Sequence, residues 1–229
     1  TALASGDSAL RLTENTLVRA RARDGENWSA LNEAFFLVGG APPVSPGEVA
    51  LSEIHYNPMG TDSSEFLELH NVSGHAINLR GCSFREGIEF AFPDNRDVVL
   101  APGERVLLVD SQFGFDAEYG IGLPIAGVYR GNLDNGGETL TLVARDGTTE
   151  LFTLTYDGAD PWPEEADGDG RSLVLTDGAA AEVASNWRPS VQMGGSPGMA
   201  EGTTFTGDPE ADLDGDGLTA FVEYALGSS

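Results

Sequence analysis

The chain has 229 residues, 40 % of them hydrophobic, with 37 acidic side chains against 12 basic ones and a net charge of -25. Every basic residue is an arginine, which excludes Schiff-base chemistry and the lysines of phosphate loops and kinases. So acidic a surface argues against nucleic acid or an anionic membrane as partner, and no apolar run approaches the roughly 18 residues that span a bilayer.

The charge rises along the chain, from a net -1 over 1–47 to -11 over 48–156 and -13 over 157–229. Such a surface stays soluble by self-repulsion and suits salty water, where that repulsion is screened. Residues 8–37 read as strands over 8–13, 16–24 and 32–38. In the second, Val18, Ala20 and Ala22 alternate with Arg19, Arg21 and Arg23. Three such short strands cannot enclose a core alone, so residues 1–38 are expected to be the end of a domain whose other strands lie upstream. Residues 39–47 (GGAPPVSPG) predict a semi-rigid linker.

Beyond it the strand signals continue over 49–57, 65–71, 76–84, 87–92, 106–110, 138–145, 149–156 and 171–176. Asp146-Gly147 marks a hairpin between two of them. Short strands broken by turn residues predict an all-β sandwich or barrel rather than βαβ units. No helical periodicity of useful length precedes residue 218. SNWRPS and GGSPG (194–198) read as a closing loop, and 199–211 as a polar spacer.

The last segment carries the one specific chemical motif. Asp212, Asp214 and Asp216, followed by Gly217 and then by Glu223, match the calcium-loop pattern D-x-[DN]-x-[DN]-G-x5-E. Three carboxylates, the carbonyl of Leu218 and a bidentate Glu223 supply the hard oxygens that calcium requires, with water at the place of Ala220. A short helix over about 219–226 is expected to follow, with Phe221, Val222 and Ala225 as its apolar stripe. The acidic loop 157–169 around Trp162 is expected to be solvated, with Trp162 packed on the sandwich edge; a second cation there is the less favoured reading.

Other chemistry is thinly supported. Glu53 and His55 share one face of a strand, Glu68 and His70 a face of the next, with Leu67 and Leu69 on the core side. A metal site from His55, Glu53 and Glu65 or Glu68 is geometrically possible, but edge or solvent-facing polar residues are the expectation. Ser172, Ser185, Ser190 and Ser196 have no histidine near in sequence, and Cys82 reads as a buried small hydrophobe. Phe84, Phe90, Phe92, Phe113, Phe115, Tyr119 and Tyr129 raise the alternative of a carbohydrate platform, although Phe90 and Phe92 at alternating positions read as core.

Residues 49–71, with INLRGCSF, FAFP, LAPGERVLLVD and LDNGGETLTLVARDG, resemble a bacterial lamin tail domain over about 48–199. The resemblance rests on Ser52-Glu53-Ile54, Glu65–Leu69, Asn71, Leu79–Gly81, Pro102-Gly103 and Asn135–Glu138, with Cys82 where the family usually has Trp. It implies an immunoglobulin-like β-sandwich without catalytic residues. Residues 1–38 resemble the end of the fibronectin-like domain at the C-terminus of chitobiase and β-hexosaminidase-type enzymes. Residues 200–229 are similar to the spacer and EF-hand-like loop that end large secreted bacterial proteins. Together these resemblances imply a structural or adhesive module of an extracellular or cell-surface protein, calcium-stabilised at its C-terminus. Its implied partners are neighbouring domains and a surface protein or polysaccharide. A carbohydrate-binding module, or an accessory domain of a hydrolase or CotH-like kinase polypeptide, are the alternatives.

Overall fold

The structure is a computed structural model that describes residues 10–25, 27–176, 178–201 and Thr219. Its contacts separate the described residues up to Ala41 from a second unit that begins at Pro42.

In the first unit, β1 (Thr16–Ala20), β2 (Arg23–Asp24), β3 (Asn27–Trp28) and β4 (Asn32–Phe36) form two antiparallel pairs, β1 with β4 and β2 with β3. Arg19 stands opposite Glu33 and makes an ion pair with it. The strand expected over 16–24 is broken, and residues 10–13 carry none. The break has a local cause: Ser29 bonds both the N–H and the carbonyl of Ala22, folding 22–29 into its own hairpin. None of the described residues of 10–41 is buried, in keeping with strands too few to enclose a core.

The second unit runs through β5 (Val49–His55), β6 (Phe66–Asn71), β7 (Ile77–Asn78), β8 (Ser83–Glu86), β9 (Val99–Leu100), β10 (Arg105–Val109), α1 (Gln112–Tyr119) and β11 (Ile125–Val128). It continues with β12 (Thr139–Val143), β13 (Glu150–Thr155), β14 (Leu173–Leu175) and β15 (Trp187–Pro189). A six-stranded sheet, β11-β10-β6-β5-β14-β15, faces a three-stranded one, β13-β12-β8, and β7 pairs with β9 beside them. Between the two sheets lies the main core, where Leu51, Ile54, Leu67, Leu69 and Leu108 meet Phe84, Leu140, Leu142 and Leu154. This is the immunoglobulin-like β-sandwich expected from the sequence. Val44, inside the segment expected as linker, is buried in that core, and its N–H donates to the carbonyl of Asn78.

Three local expectations need correction. The segments 76–84 and 87–92 are not continuous strands: β7 and β8 flank a turn at Gly81, and 87–92 pairs only through isolated bridges at Glu89 and Ala91, though Ile88 and Phe92 are buried in the main core. The presumed closing loop contributes β15, paired antiparallel to β14. A helix also precedes residue 218, because α1 links β10 to its parallel neighbour β11 as a short βαβ crossover. Ser111 caps its start and Gly120, at φ 84°, follows its end. Phe113 and Phe115 imitate strand alternation, but Phe113 is exposed, while Phe115 and Tyr119, one turn apart, stack with ring centres 4.5 Å apart.

The helix covers the outer face of the large sheet. Phe115 packs with Phe66, Leu107 and Val109 in a second, smaller core, so β6 and β10 are buried on both faces. It sits close to the turn 62–64: a Cβ on Gly114 would lie 2.5 Å from the Cβ of Ser63. Gly114→Ala is therefore expected to push α1 off the sheet and lower stability by roughly 1–3 kcal/mol. Thermal unfolding checks this, since helix propensity alone would make the change stabilising.

Candidate functional site: a buried polar layer

Val49 and Leu51 share the inner face of β5, yet so do Ile54 and Tyr56, which strict alternation would turn outward. A bulge between Leu51 and Glu53 resolves the conflict by inserting Ser52 as the extra residue. It sets Glu53 directly opposite Glu68 of β6. Both point to the outer face, but that face is roofed by 190–201, and the two carboxyl groups are 2 % and 1 % exposed. The expectation of solvent-facing residues is thus overturned for Glu53, His55 and Glu68, because the outer face of the sheet is covered in its turn.

Each carboxyl is held by a different set of donors. Glu53 Oε1 accepts from Ser172 Oγ at 2.5 Å and from the Ser196 N–H at 2.9 Å. Glu68 accepts from Ser52 Oγ at 2.6 Å and from the Gly198 N–H at 2.8 Å, and Arg105 Nε lies 3.0 Å away as its ionic partner. A third carboxylate, Glu201, accepts from Ser196 Oγ at 2.7 Å and has Arg188 3.8 Å away. Two arginines thus attend three carboxyls, and Glu53 is the one without a cation.

Like charges directly opposite in a sheet repel, and a buried charge without a partner is costly. Glu53 resolves both problems by keeping its proton. Burial, reinforced by Glu68 and Glu201, pushes its pKa up to about 8 against the pull of Ser172 and Ser196. The hydrogen-bond pattern fits. Ser196 Oγ stands 3.2 Å from Glu53 Oε2 as well as 2.7 Å from Glu201 Oε2, but has a single proton to give. With that proton on Glu201, a protonated Glu53 donates to Ser196 and every contact is used.

Two further motif residues close the sandwich ends. Glu65, fully buried, accepts through Oε2 from the Tyr129 hydroxyl and the Leu133 N–H, each at 3.0 Å, and burial pushes its pKa up to about 7. Asn71, also fully buried, ties together the carbonyls of His75, Leu100 and Ala101 and the N–H and hydroxyl of Ser73.

The residues considered for a metal or an active site are spread apart. Glu53 meets serines, Glu65 meets Tyr129, and His55 Nδ1 lies 2.9 Å from the Tyr119 hydroxyl. Among the described residues no three His, Cys, Asp or Glu side chains converge as a metal-binding group. Ser172 and Ser196 bond to Glu53 rather than to a histidine, and Ser190 donates to the carbonyl of Gln192. Cys82 is buried in the main core, as expected, and burial raises its thiol pKa to about 11, far from a reactive thiolate. Phe92 is buried and Phe90 half-buried against the core, with rings crossed at 89° instead of coplanar. In the acidic loop, Asp167 accepts from Asn57 and Asp157 from the Ala159 N–H, while Trp162 is buried against Trp187. The calcium-loop residues Asp212, Asp214, Asp216, Leu218 and Glu223 lie outside the described residues.

The serine–glutamate–arginine pattern is not legible in the sequence, since its members come from six separate stretches, from Ser52-Glu53 to Ser196–Glu201. Its one sequence signal was the slip in apolar phase at Ser52-Glu53. A concavity of about 880 Å3 near the layer opens between β5 and β13, with Leu51, His70, Arg105 and Phe152 among its walls.

No curated protein and no solved structure matches the chain. The family model described as Lamin Tail Domain matches residues 42–186, which includes the bulged β5, the paired glutamates and Asn71. No helix among the described residues is long and apolar enough to cross a membrane. With its sandwich and its buried motif residues, the chain belongs to the lamin tail domain family.

Proposed function

We propose that the chain is a non-catalytic structural and adhesive module of a large secreted or surface bacterial protein, with a calcium-binding loop at its C-terminus. The observation that carries this reading is how the polar motif residues are used. Glu53, Glu65, Glu68 and Asn71 are all buried and engaged in holding strands and loops together. A general acid or nucleophile must instead reach a substrate.

The calcium part of the reading rests on the loop sequence Asp212–Glu223 and is tested with the full chain. Calorimetric titration with calcium is expected to give one binding event, and saturating calcium is expected to raise the unfolding temperature by mass action. The double variant Asp212→Ala/Asp216→Ala should lose both effects. Equal heats from the two proteins would defeat the site.

A further inference from the structure

A second, smaller cavity of about 170 Å3 lies on the outer side of the large sheet, between the end of β5, α1 and the 193–194 turn. The polar layer does not use it. His55, 2 % exposed, is among its lining residues. Nδ1 of that imidazole is engaged with the Tyr119 hydroxyl, and Nε2, fully buried, has no hydrogen-bond partner. At the rim stand Met59 and Met193, two of the chain's three methionines, 66 % and 57 % exposed. Their methyl ends converge: a Cβ placed on Gly170 would meet Met193 Cε at 2.7 Å and Met59 Cε at 3.4 Å, so the two lie within about 6 Å of each other. Both thioether side chains are thus largely exposed and stand beside an unpartnered imidazole.

We propose that this cavity is a copper(I) site, with His55 Nε2 and the thioether sulfurs of Met59 and Met193 as its ligands. The donor set selects the metal. Calcium and magnesium require oxygens, and the one carboxylate lining this cavity is that of Glu118. Structural zinc takes four donors drawn from thiolate, imidazole and carboxylate. Thioethers are soft and neutral, and with an imidazole they favour monovalent copper. The second shell is in place as well. A ligating histidine donates its other N–H to a fixed acceptor; with Nδ1–H donating to the Tyr119 hydroxyl, the tautomer the proposed site requires, the lone pair lies on Nε2.

The test is a competition in which the full chain, kept reduced and free of oxygen, withdraws copper(I) from a chromophoric chelator. Wild type is expected to take one equivalent. Met59→Leu/Met193→Leu, which keeps size and exposure, is expected to weaken binding by at least about 100-fold, the upper end of the loss seen when even a supporting residue is removed from a metal site. Met199→Leu, which alters the third methionine outside this cavity, should bind as wild type does. Unchanged circular dichroism shows that the variants are folded. Failure of wild type to withdraw copper would overturn the proposal. So would equal affinity in the double variant, which would move binding to the Cys82 thiol or elsewhere, or an equal loss in Met199→Leu.

Discussion

Asn71→Ala is expected to lower folding stability by roughly 3–5 kcal/mol, near the top of the range for single substitutions. The side chain is fully buried at the end of β6. Its two amide protons are shared among the carbonyls of His75, Leu100 and Ala101 at 2.9–3.0 Å. Its carbonyl accepts from the Ser73 N–H at 2.9 Å and the Ser73 hydroxyl at 2.7 Å. Alanine would strand these groups where water does not replace the bonds, and an unsatisfied buried polar group costs about 1–3 kcal/mol. Asn71→Asp separates bonding from shape. It keeps the acceptor oxygen but turns a second oxygen toward three carbonyls, so at neutral pH it should be at least as damaging as alanine. Urea unfolding reads both variants, with a lower midpoint and an unchanged slope. A midpoint equal to wild type for either one would show that the hub contributes little.

The second large effect is a loss of stability as pH rises. Glu53 titrates near its ordinary 4.5 when unfolded and at about 8 when folded. The folded chain therefore holds a proton that the unfolded chain gives up across that interval. The contribution is fully present below about pH 4.5 and is lost as pH rises through about 8. At roughly 1.4 kcal/mol per unit of pKa shift, the sum is a few kcal/mol. Glu65, raised to about 7, acts in the same direction over a narrower window. Self-repulsion of a surface with net charge -25 also grows with pH, but salt screens it. The buried part is screened much less and should persist in high salt, where thermal unfolding at a series of pH values isolates it.

The main features of the sandwich could be read from the sequence because its inner face follows period-two alternation and its turns carry Asp-Gly and Pro-Gly. The assignment of Leu67 and Leu69 to the core, and of Glu53, His55 and Glu68 to the opposite face, is matched by the structure. What single-strand periodicity cannot show is whether that opposite face meets water. Here α1 and the segment 190–201 cover it. The helix is only eight residues long, with Phe115 buried and Tyr119 half-buried, too short for a periodic signal. The roof is a loop of Gly, Ser and Pro, a composition that ordinarily reads as exposed. The methionine pair has no sequence signal for a related reason: Met59 and Met193 are 134 positions apart in sequence, and only the fold brings them together.

The polar residues of this family motif hold the sandwich together, and Glu53 does so as a neutral acid. Urea unfolding of wild type and Glu53→Gln, at about pH 5 and about pH 8.5 in high salt, tests it most directly. Glutamine keeps the size of the protonated acid and cannot ionise. The two proteins should differ little at the lower pH, while toward the higher pH wild type should lose a few kcal/mol more stability than the variant, which keeps only the smaller Glu65 contribution. Parallel losses in the two proteins, or a wild type that gains stability toward pH 8.5, would contradict it.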